Sequence, residues 1–302
     1  MKRFVTISAI LLAALTTLPA AAGRRAEHVV FIGLDGWGAY SVPKAADIPN
    51  IRFLMQSGAY TLHKRSVFPT ASAINWASMW NGCPTEIHGY SEWNSRKPTT
   101  PLPENAANAR GLIPTVFSLL REQYPKAVTA WVGWWDVIGD LIDTACVNYK
   151  YIVRDSEANI SGATKHTCEM ILRHKPTLTF VSYDEPDAVG HQIGHDTPAY
   201  YDTLSVLDRH IGQIIQATRD AGIYDNTIFI ITADHGGVGK GHGGRSLLEY
   251  ETPFIISGKG VRPLGPFKES MMQYDVAATT AYIFGLKTPQ VWVGRPMKQV
   301  FK

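Results

Sequence analysis

The sequence predicts an α/β fold that is built on one mostly parallel β-sheet. Three segments are short, almost entirely apolar and rich in β-branched residues, as expected for strands that are covered on both faces; they are His28–Leu34, Leu178–Tyr183 and Thr227–Thr232. Between the last two, residues 199–221 carry apolar side chains at helical spacing. A strand, a helix and a strand in this order indicate parallel strands joined by a right-handed crossover.

The rest of the chain adds helices and one long loop. Apolar positions at helical spacing predict helices at residues 115–122 and 277–284. Residues 98–111 are rich in proline and asparagine and predict an exposed loop. Because no internal repeat or low-complexity segment interrupts this pattern, we expect residues 23–302 to form a single domain.

The first 22 residues have the pattern of a secretory signal peptide. Lys2 and Arg3 are basic, residues 4–18 are apolar and uncharged, and small residues follow. The apolar run is shorter than the roughly 20 residues that a membrane span needs. We therefore expect cleavage after residue 22, export to the periplasm or secretion, and no membrane span in the mature chain.

Charge and cysteine content exclude several classes of protein. The net charge is only +3 and no long run of like charge occurs, which argues against a nucleic-acid scaffold. The cysteines allow at most one internal disulfide, and their spacing matches neither a zinc ribbon nor a redox pair. We expect scattered, partly buried thiols at Cys83, Cys146 and Cys168.

Acidic residues follow each of the three apolar strands. Asp35 follows the first strand, Asp187 lies a few residues after the second, and Asp234 and His235 come after the third. A single aspartate at a strand end is weak evidence for a site, because it often caps the next helix. In parallel sheets, however, ligands bind beyond the carboxyl ends of the strands. We expect these side chains to meet.

Histidines accompany these carboxylates. His191 lies one helical turn after Asp187, and His242 lies in the glycine-rich segment 241–244. Mixed aspartate and histidine ligands suit a borderline cation such as zinc. Because two carboxylate-rich clusters that lie close together repel each other unless cations neutralise them, the pattern predicts two divalent metal ions, with Zn²⁺ as the expected metal.

Ser72 follows a turn and precedes a short predicted helix at residues 75–80. A helix N-terminus offers free N–H groups that suit a phosphoryl oxygen. A serine hydroxyl becomes a competent nucleophile when a metal ion lowers its pKa. The alternative is that Thr70 or Ser72 merely caps the helix, and the residues alone leave both interpretations open.

Several short motifs are informative when they are taken in their order and spacing. They lie at residues 30–36, 69–72, 82, 88–89, 185–191, 232–236, 241–243, 274–280 and 293–296. Together they resemble the alkaline phosphatase superfamily, and within it the type I phosphodiesterase/nucleotide pyrophosphatase family. The resemblance spans nearly the whole mature chain and implies a three-layer αβα sandwich with a mostly parallel central sheet, forming a single catalytic domain.

The resemblance also implies roles for individual residues. One metal would be held by Asp187, His191 and His242. The other would be held by Asp35, Asp234 and His235, with Ser72 as the nucleophile that bridges to it. Serine stands here where the family usually has threonine, which leaves the reaction type unchanged.

Four further residues are assigned more loosely. Asn94 falls near the position of an asparagine that binds a phosphoryl oxygen in the family, and Asn75 competes with it for this role. His88 and His195 look like metal ligands by residue type, but we expect supporting roles for both.

The resemblance implies hydrolysis of a phosphoric ester or anhydride through a phosphoserine on Ser72. A phosphodiesterase or nucleotide pyrophosphatase is favoured over a phosphomonoesterase because a neutral asparagine suits a diester. A non-catalytic metal-binding or surface-interaction protein is the remaining alternative. The substrate is expected to be a small phosphorylated compound, and nucleotides, phospholipid head groups and sugar phosphates all remain open.

Overall fold

The architecture is a β-sheet with helices on both faces. The computed structural model describes residues 23–154 and 156–302, so the predicted signal peptide lies outside the described residues. The strands are β1 (His28–Leu34), β2 (Ala59–Arg65), β3 (Thr129–Gly133), β4 (Tyr149–Ile152), β5 (Leu178–Tyr183), β6 (Thr227–Thr232), β7 (Glu251–Gly258), β8 (Gly265–Pro266) and β9 (Met271–Met272).

These strands form one mixed sheet. Their order is β4-β3-β5-β1-β6-β7-β2-β8, with β9 beside β2. Strands β4, β3, β5, β1 and β6 are all parallel to one another, whereas β7 runs antiparallel to both β6 and β2. The predicted mostly parallel sheet is therefore confirmed, with one antiparallel strand within it.

Helices connect most of the strands. They are α1 (Pro49–Ser57), α2 (Ser72–Asn81), α3 (Thr85–His88), α4 (Val116–Gln123), α5 (Val137–Ile142), α6 (Asn159–His174), α7 (Asp187–Gln192), α8 (Pro198–Asp220), α9 (Leu247–Tyr250) and α10 (Asp275–Phe284). Short 3₁₀ helices lie at Ala39–Ser41, Thr144–Cys146, Tyr224–Asn226 and Lys298–Val300.

Two apolar cores cover the two faces of the sheet. Alternate side chains of β1 point in opposite directions: Val29 and Phe31 pack with α2, α4, α5 and α10, whereas Val30 and Ile32 pack with α1, α6 and α8. A strand buried on both faces has to be apolar throughout, which explains its sequence. This arrangement is the predicted αβα sandwich.

Most of the predicted elements are confirmed. Strands β1, β5 and β6 have the predicted bounds, and the predicted helix 199–221 is α8, shifted by one residue. Helix α4 is stabilised by a capping box in which Thr115 and Ser118 exchange hydrogen bonds. The helix expected at residues 75–80 is longer than predicted, because α2 begins at Ser72 itself.

The fold also settles the state of the thiols. Cys83, Cys146 and Cys168 are all free, as expected.

In the part of the chain that the structure describes, no helix combines the length and the apolar character that a membrane crossing requires.

Parallel pairing places the carboxyl ends of β1, β5 and β6 at one edge of the sheet. The register aligns Leu34 with Tyr183 and Gly33 with Thr232. The acidic residues that follow these strands therefore emerge side by side, although they are far apart in the sequence.

Candidate functional site

A tight turn after β1 carries Asp35 into the site. The Asp35 backbone N–H donates to the carbonyl oxygen of Tyr183 at the end of β5. Gly36 follows with a φ of 67°, and a Cβ at this position would lie 2.4 Å from Asp187 Oδ1. Only glycine fits this left-handed and crowded position. The turn therefore holds Asp35 directly against Asp187.

Helix α7 and the 236–244 loop (residues 236–244) form a first group of donor atoms. Asp187 opens α7 and His191 lies one turn later, with its Nε2 atom 3.1 Å from Asp187 Oδ2. His242 comes from the 236–244 loop, and its Nε2 atom lies 3.2 Å from His191 Nε2. These three predicted ligands offer donor atoms close enough together to hold one metal ion.

A second group of donor atoms surrounds His235. The Nε2 atom of His235 lies 3.4 Å from Asp35 Oδ1, 3.3 Å from Asp234 Oδ2 and 3.1 Å from Ser72 Oγ. The set whose donors lie mutually within reach of one ion consists of Asp35, His235 and Asp187, where the sequence predicted Asp234 as the third member. Asp187 therefore lies between the two groups, and Asp234 borders the second.

The histidines of both groups are oriented in the same way. The Nδ1 atoms of His191, His235 and His242 lie 2.9, 2.9 and 3.0 Å from the backbone carbonyl oxygens of Lys240, Gly236 and Thr70. A carbonyl oxygen can only accept, so each Nδ1 carries a proton and each Nε2 atom faces the centre of the site. This is how metal-ligating histidines are held.

Two buried carboxylate oxygens face the His235 group without a partner. Among the residues that the structure describes, Asp35 Oδ1 and Asp234 Oδ2 are buried oxygens that accept no hydrogen bond. Burial lowers the pKa of His235, so its Nε2 atom offers them a lone pair rather than a proton. Unpaired buried acceptors are rare in native proteins. A divalent cation fits this set of donors.

The pKa values of the carboxyl groups reflect the same crowding. Burial, followed by the charges of Asp234 and Asp187, raises the pKa of Asp35 well above its usual range. Burial and the charge of Asp187 raise the pKa of Asp234 to about 7. Burial also acts to raise the pKa of Asp187, but hydrogen bonds from His191 and His195 outweigh it and lower this pKa. Without cations, these carboxylates cannot all be ionised cheaply.

In the first group of donor atoms, the Nε2 atom of His191 can carry a proton at the position where a cation would bind. The hydrogen bond to Asp187 raises the pKa of His191 to about 9, whereas burial lowers that of His242 to about 4. His191 is therefore protonated at neutral pH and donates from Nε2 to Asp187. A metal ion that binds to this nitrogen has to displace that proton.

Ser72 and Thr70 lie close together but in different surroundings. Ser72 Oγ faces His235 at the first residue of α2. Thr70 is fully buried, and its hydroxyl donates to Gly244 O at 2.9 Å and accepts from Gly243 N at 3.1 Å. The Thr70 hydroxyl is therefore occupied by the backbone of the 236–244 loop, and of the two only the Ser72 hydroxyl reaches the donor atoms.

The two candidate asparagines also differ. Asn75 is fully buried, and its amide bonds the backbone of Val67, Pro69 and Ala71. Asn94 is exposed, and the carbonyl oxygen of its neighbour Trp93 accepts from Ala73 N, next to Ser72. The Asn75 amide is therefore occupied by the backbone, whereas the Asn94 side chain is exposed.

Comparison with known proteins identifies the family. Residues 29–240 match the family model of the type I phosphodiesterase / nucleotide pyrophosphatases. The chain belongs to this family. It is 25% identical over 218 residues to the human bis(5'-adenosyl)-triphosphatase ENPP4, covering 69% of this chain and 47% of the human protein. It is 23% identical over 223 residues to venom phosphodiesterase 2 of Crotalus adamanteus, covering 71% of this chain and 27% of the venom enzyme. The matched region thus spans about half or less of these relatives.

Solved structures share the fold. Murine ectonucleotide pyrophosphatase/phosphodiesterase 5, an inactive form in complex with AMP, superposes with a TM-score of 0.73 at 15% identity, covering 91% of this chain and 100% of that one. A 2-O GAG sulfatase superposes with a TM-score of 0.74 at 15% identity, covering 91% and 74%. At such identities the likeness establishes the fold alone.

His88 and His195, for which the sequence predicted supporting roles, lie in different surroundings. His88 is fully buried, its Nε2 lies 2.9 Å from Ser78 Oγ, its Nδ1 accepts from Tyr90 N, and burial lowers its pKa to about 3. His195 lies instead beside the site, with Nε2 3.1 Å from Asp187 Oδ1. Neither histidine is in the groups of donor atoms found among the described residues.

Sequence analysis missed a buried network behind Asp234. The fully buried Lys64 donates from Nζ to Ala233 O at 2.9 Å and to the side chain of Gln273. Gln273 donates in turn to Asp234 O and to Asn75 O. The network joins the end of β6 to α2. Lys64 lies between the polar residues His63 and Arg65, so nothing in the sequence marks it as buried.

Proposed function

We propose that this chain hydrolyses phosphodiester or pyrophosphate bonds with Ser72 as nucleophile and two divalent cations, Zn²⁺ being the expected metal. The single observation that carries the proposal is the position of Ser72 Oγ. It lies 3.1 Å from His235 Nε2, a nitrogen that also faces the unpartnered oxygens of Asp35 and Asp234. A hydroxyl beside three donor atoms that face the centre of the site has the arrangement that activates an oxygen nucleophile.

The donor atoms divide between two cations. His191, His242 and Asp187 would hold one cation, while Asp35, Asp234, His235 and Ser72 would hold the other. When bound, the cations would lower the pKa of the Ser72 hydroxyl and neutralise charge on the transferring phosphoryl group. Imidazole and carboxylate ligands in this proportion suit zinc.

The residues of the chain then perform two displacements. Ser72 Oγ gives up its proton to solvent and attacks phosphorus in line, the P–O bond to the leaving group breaks, and the leaving oxygen takes up a proton. The phosphoryl group, with its remaining ester substituent, is then bound to Ser72. Water attacks the same phosphorus from the side opposite Ser72 Oγ, the bond between phosphorus and Oγ breaks, and the proton that water loses restores the Ser72 hydroxyl. We propose that Asn94 donates an N–H group to a non-bridging oxygen; its exposure and the bond between Trp93 O and Ala73 N beside Ser72 support this role, and its neutrality matches the single negative charge of a diester.

The ion pairs of the acidic residues support a diester over a monoester. A monoester carries more negative charge and is best bound with an added cationic side chain. Among the described residues, no lysine or arginine forms an ion pair with Asp35, Asp187 or Asp234. Relatives named for nucleotide substrates make nucleotides the first class to test.

The decisive experiment compares two chromogenic substrates. We expect bis-p-nitrophenyl phosphate to be hydrolysed faster than p-nitrophenyl phosphate, and both rates to be abolished by a chelator and restored by Zn²⁺. Ser72→Ala should lower kcat by more than about 10³-fold, while elemental analysis finds the same metal content as in the wild type. Ser72→Thr should retain activity.

Three results would contradict the proposal in different ways. A faster rate with the monoester would make the chain a phosphomonoesterase. Activity in Ser72→Ala would move the nucleophile elsewhere. Zinc uptake without hydrolysis of either ester would indicate a non-catalytic metal-binding protein.

We also propose that residues 23–302 act as one catalytic domain outside the cytoplasm. One sheet contains strands from β1 to β9, which supports a single unit. The pattern of residues 1–22 supports export. Fractionation of cells that express the full chain, followed by N-terminal sequencing, tests both cleavage and location.

A further inference from the structure

His195 occupies a slot between two glycines. Its side chain is fully buried, although it lies between α7 and the 236–244 loop next to the proposed metal site. A Cβ on Gly190 would lie 2.4 Å from its ring, and a Cβ on Gly237 would lie 2.3 Å from it. The ring of Tyr200 packs nearby, with centroids 5.6 Å apart. A ring held this closely has little freedom to rotate.

Both ring nitrogens of His195 face acceptors. Nε2 lies 3.1 Å from Asp187 Oδ1, and Nδ1 lies 3.1 Å from the carbonyl oxygen of Gly239. The backbone N–H of His195 also donates to Gly239 O, at 2.7 Å. His191 makes a similar pair of contacts, but its side chain is 47% exposed, whereas that of His195 is fully buried and belongs to neither group of donor atoms among the described residues.

The two partners of His195 belong to different parts of the site. Asp187 is shared by both groups of donor atoms. Gly239 precedes Lys240, whose carbonyl oxygen orients His191, and the same loop carries His242. A hydrogen bond to Oδ1 of Asp187 fixes the rotation of its carboxylate and leaves Oδ2 directed at His191 and His242.

We propose that His195 is a positioning residue that fixes the Asp187 carboxylate for metal binding, through the hydrogen bond from Nε2. This inference rests on the proposed function, because it concerns the affinity of the proposed metal site. His195 does not touch the substrate in this role. It acts by reducing the number of orientations that Asp187 samples before a cation binds.

Two near-isosteric substitutions separate the two contacts of the ring, namely that of Nε2 with Asp187, where the proposal puts the ring proton, and that of Nδ1 with Gly239 O. The amide nitrogen of glutamine reaches the position of histidine Nε2, so His195→Gln keeps the donor to Asp187. The amide nitrogen of asparagine reaches the position of Nδ1, so His195→Asn keeps only the donor to Gly239 O. The backbone bond to Gly239 remains in both variants. His195→Ala removes both ring nitrogens and therefore both side-chain contacts.

The test measures Co²⁺ affinity by optical titration against a competing chelator, without any substrate. We expect His195→Gln to bind Co²⁺ within about threefold of the wild type, and His195→Asn and His195→Ala to bind about 10- to 100-fold more weakly. If His195→Ala does not fold, the glutamine and asparagine variants decide the question alone. Equal affinities for these two variants, or an asparagine variant that binds more tightly, would overturn the inference.

Two control variants identify the origin of any loss of Co²⁺ affinity. His88→Asn removes another fully buried histidine that is bonded to Ser78 and Tyr90, and it should leave Co²⁺ affinity unchanged. Gly237→Ala should weaken Co²⁺ binding in the wild type, because its Cβ displaces the ring, but should weaken it no further in a His195→Ala background. If Gly237→Ala lowers Co²⁺ affinity equally in both backgrounds, its effect does not pass through the His195 ring, which would contradict the proposed role of the slot.

The outcomes also separate this inference from the proposed function. A wild-type chain that binds no Co²⁺ refutes the metal centre itself. A wild-type chain that binds Co²⁺ tightly, with all His195 variants equal to it, leaves the centre intact and refutes only the role of His195.

Discussion

The Nδ1 atom of His242 lies 3.0 Å from the backbone carbonyl oxygen of Thr70, two residues before Ser72. The hydroxyl of Thr70 holds the same loop through Gly243 N and Gly244 O. The turn that carries the proposed nucleophile and the loop that carries a proposed metal ligand are thus bonded into one unit. A substitution of Thr70 should therefore disturb both the turn that carries Ser72 and the loop that carries His242.

We expect Thr70→Val to keep the shape of the side chain and lose its two hydroxyl hydrogen bonds. Leaving Gly243 N and Gly244 O unpaired should reduce the free energy of unfolding by about 1–3 kcal/mol. Thermal unfolding and Co²⁺ titration should show lower stability together with weaker metal binding. Thr85→Val, which removes one exposed hydrogen bond to Phe68 O, is the matched control. Normal metal affinity in Thr70→Val would show that the loop does not depend on this residue.

The two asparagines should respond in opposite ways to alanine substitution. Asn75→Ala removes a buried amide with several backbone partners and should lower the free energy of unfolding by about 2–3 kcal/mol. Asn94→Ala is exposed and should change stability by less than about 0.5 kcal/mol, but it should lower kcat/KM for a diester by about 10²-fold. Urea unfolding and steady-state kinetics measure the two effects. An active Asn94→Ala enzyme would remove Asn94 from the substrate site.

Metal binding should release protons, and fewer at alkaline pH. His191 has a pKa of about 9 and Asp234 one of about 7, both raised above their ordinary values, so the metal-free protein holds protons on these groups at pH 7. A cation displaces them, so we expect release of at least about one proton more per chain at pH 7 than at pH 10. Calorimetric titration with Co²⁺ in buffers of different ionisation enthalpy measures this number. Equal release at both pH values would show that His191 is not a ligand.

Replacing Asp35 should stabilise the metal-free protein. Its pKa is raised well above the usual range by burial and by neighbouring carboxylates, so the folded state binds a proton more tightly than the unfolded state and loses this stabilisation as pH rises. The Asp35→Asn variant has no ionisable group at this position, so its stability does not fall in this way as pH rises. The melting temperature of the variant should therefore exceed that of chelator-treated wild type, by more at pH 8 than at pH 5.

The same variant provides its own control. Adding Zn²⁺ should raise the melting temperature of the wild type through binding to the folded state, and it should raise that of Asp35→Asn much less. A variant that is less stable than the metal-free wild type at pH 8 would contradict the electrostatic interpretation of this centre.

Sequence patterns identified the centre of the fold better than its margins. Strands β1, β5 and β6 are buried on both faces, so their apolar runs mark their ends to the residue. Strand β2 carries the polar segment His63–Arg65, so its pattern is mixed and it was not predicted. Burial alone does not make a strand recognisable, since the fully buried β3 is short and the largely buried β7 contains Pro253, and neither of them was predicted.

Sequence patterns also predicted only part of the candidate site. The residues that are chemically distinctive, such as Asp187 and His242, could be chosen from their type and position. Their relative placement could not, because the sharing of Asp187 by two donor groups is a property of three-dimensional packing. The hydroxyl bonds of Thr70 and the enclosure of His195 by glycines likewise depend on backbone approach between distant segments.

The position of β1 between β5 and β6 has a consequence for how the protein folds. Its neighbours are far along the chain, since Val29 pairs with Leu178 and His28 pairs with Thr227. Such distant pairing makes folding slow and leaves apolar strands unprotected during synthesis. The carboxylates that repel one another are brought together when β1 pairs with β5 and β6, so a cation present at that moment would help the nascent chain to complete its sheet.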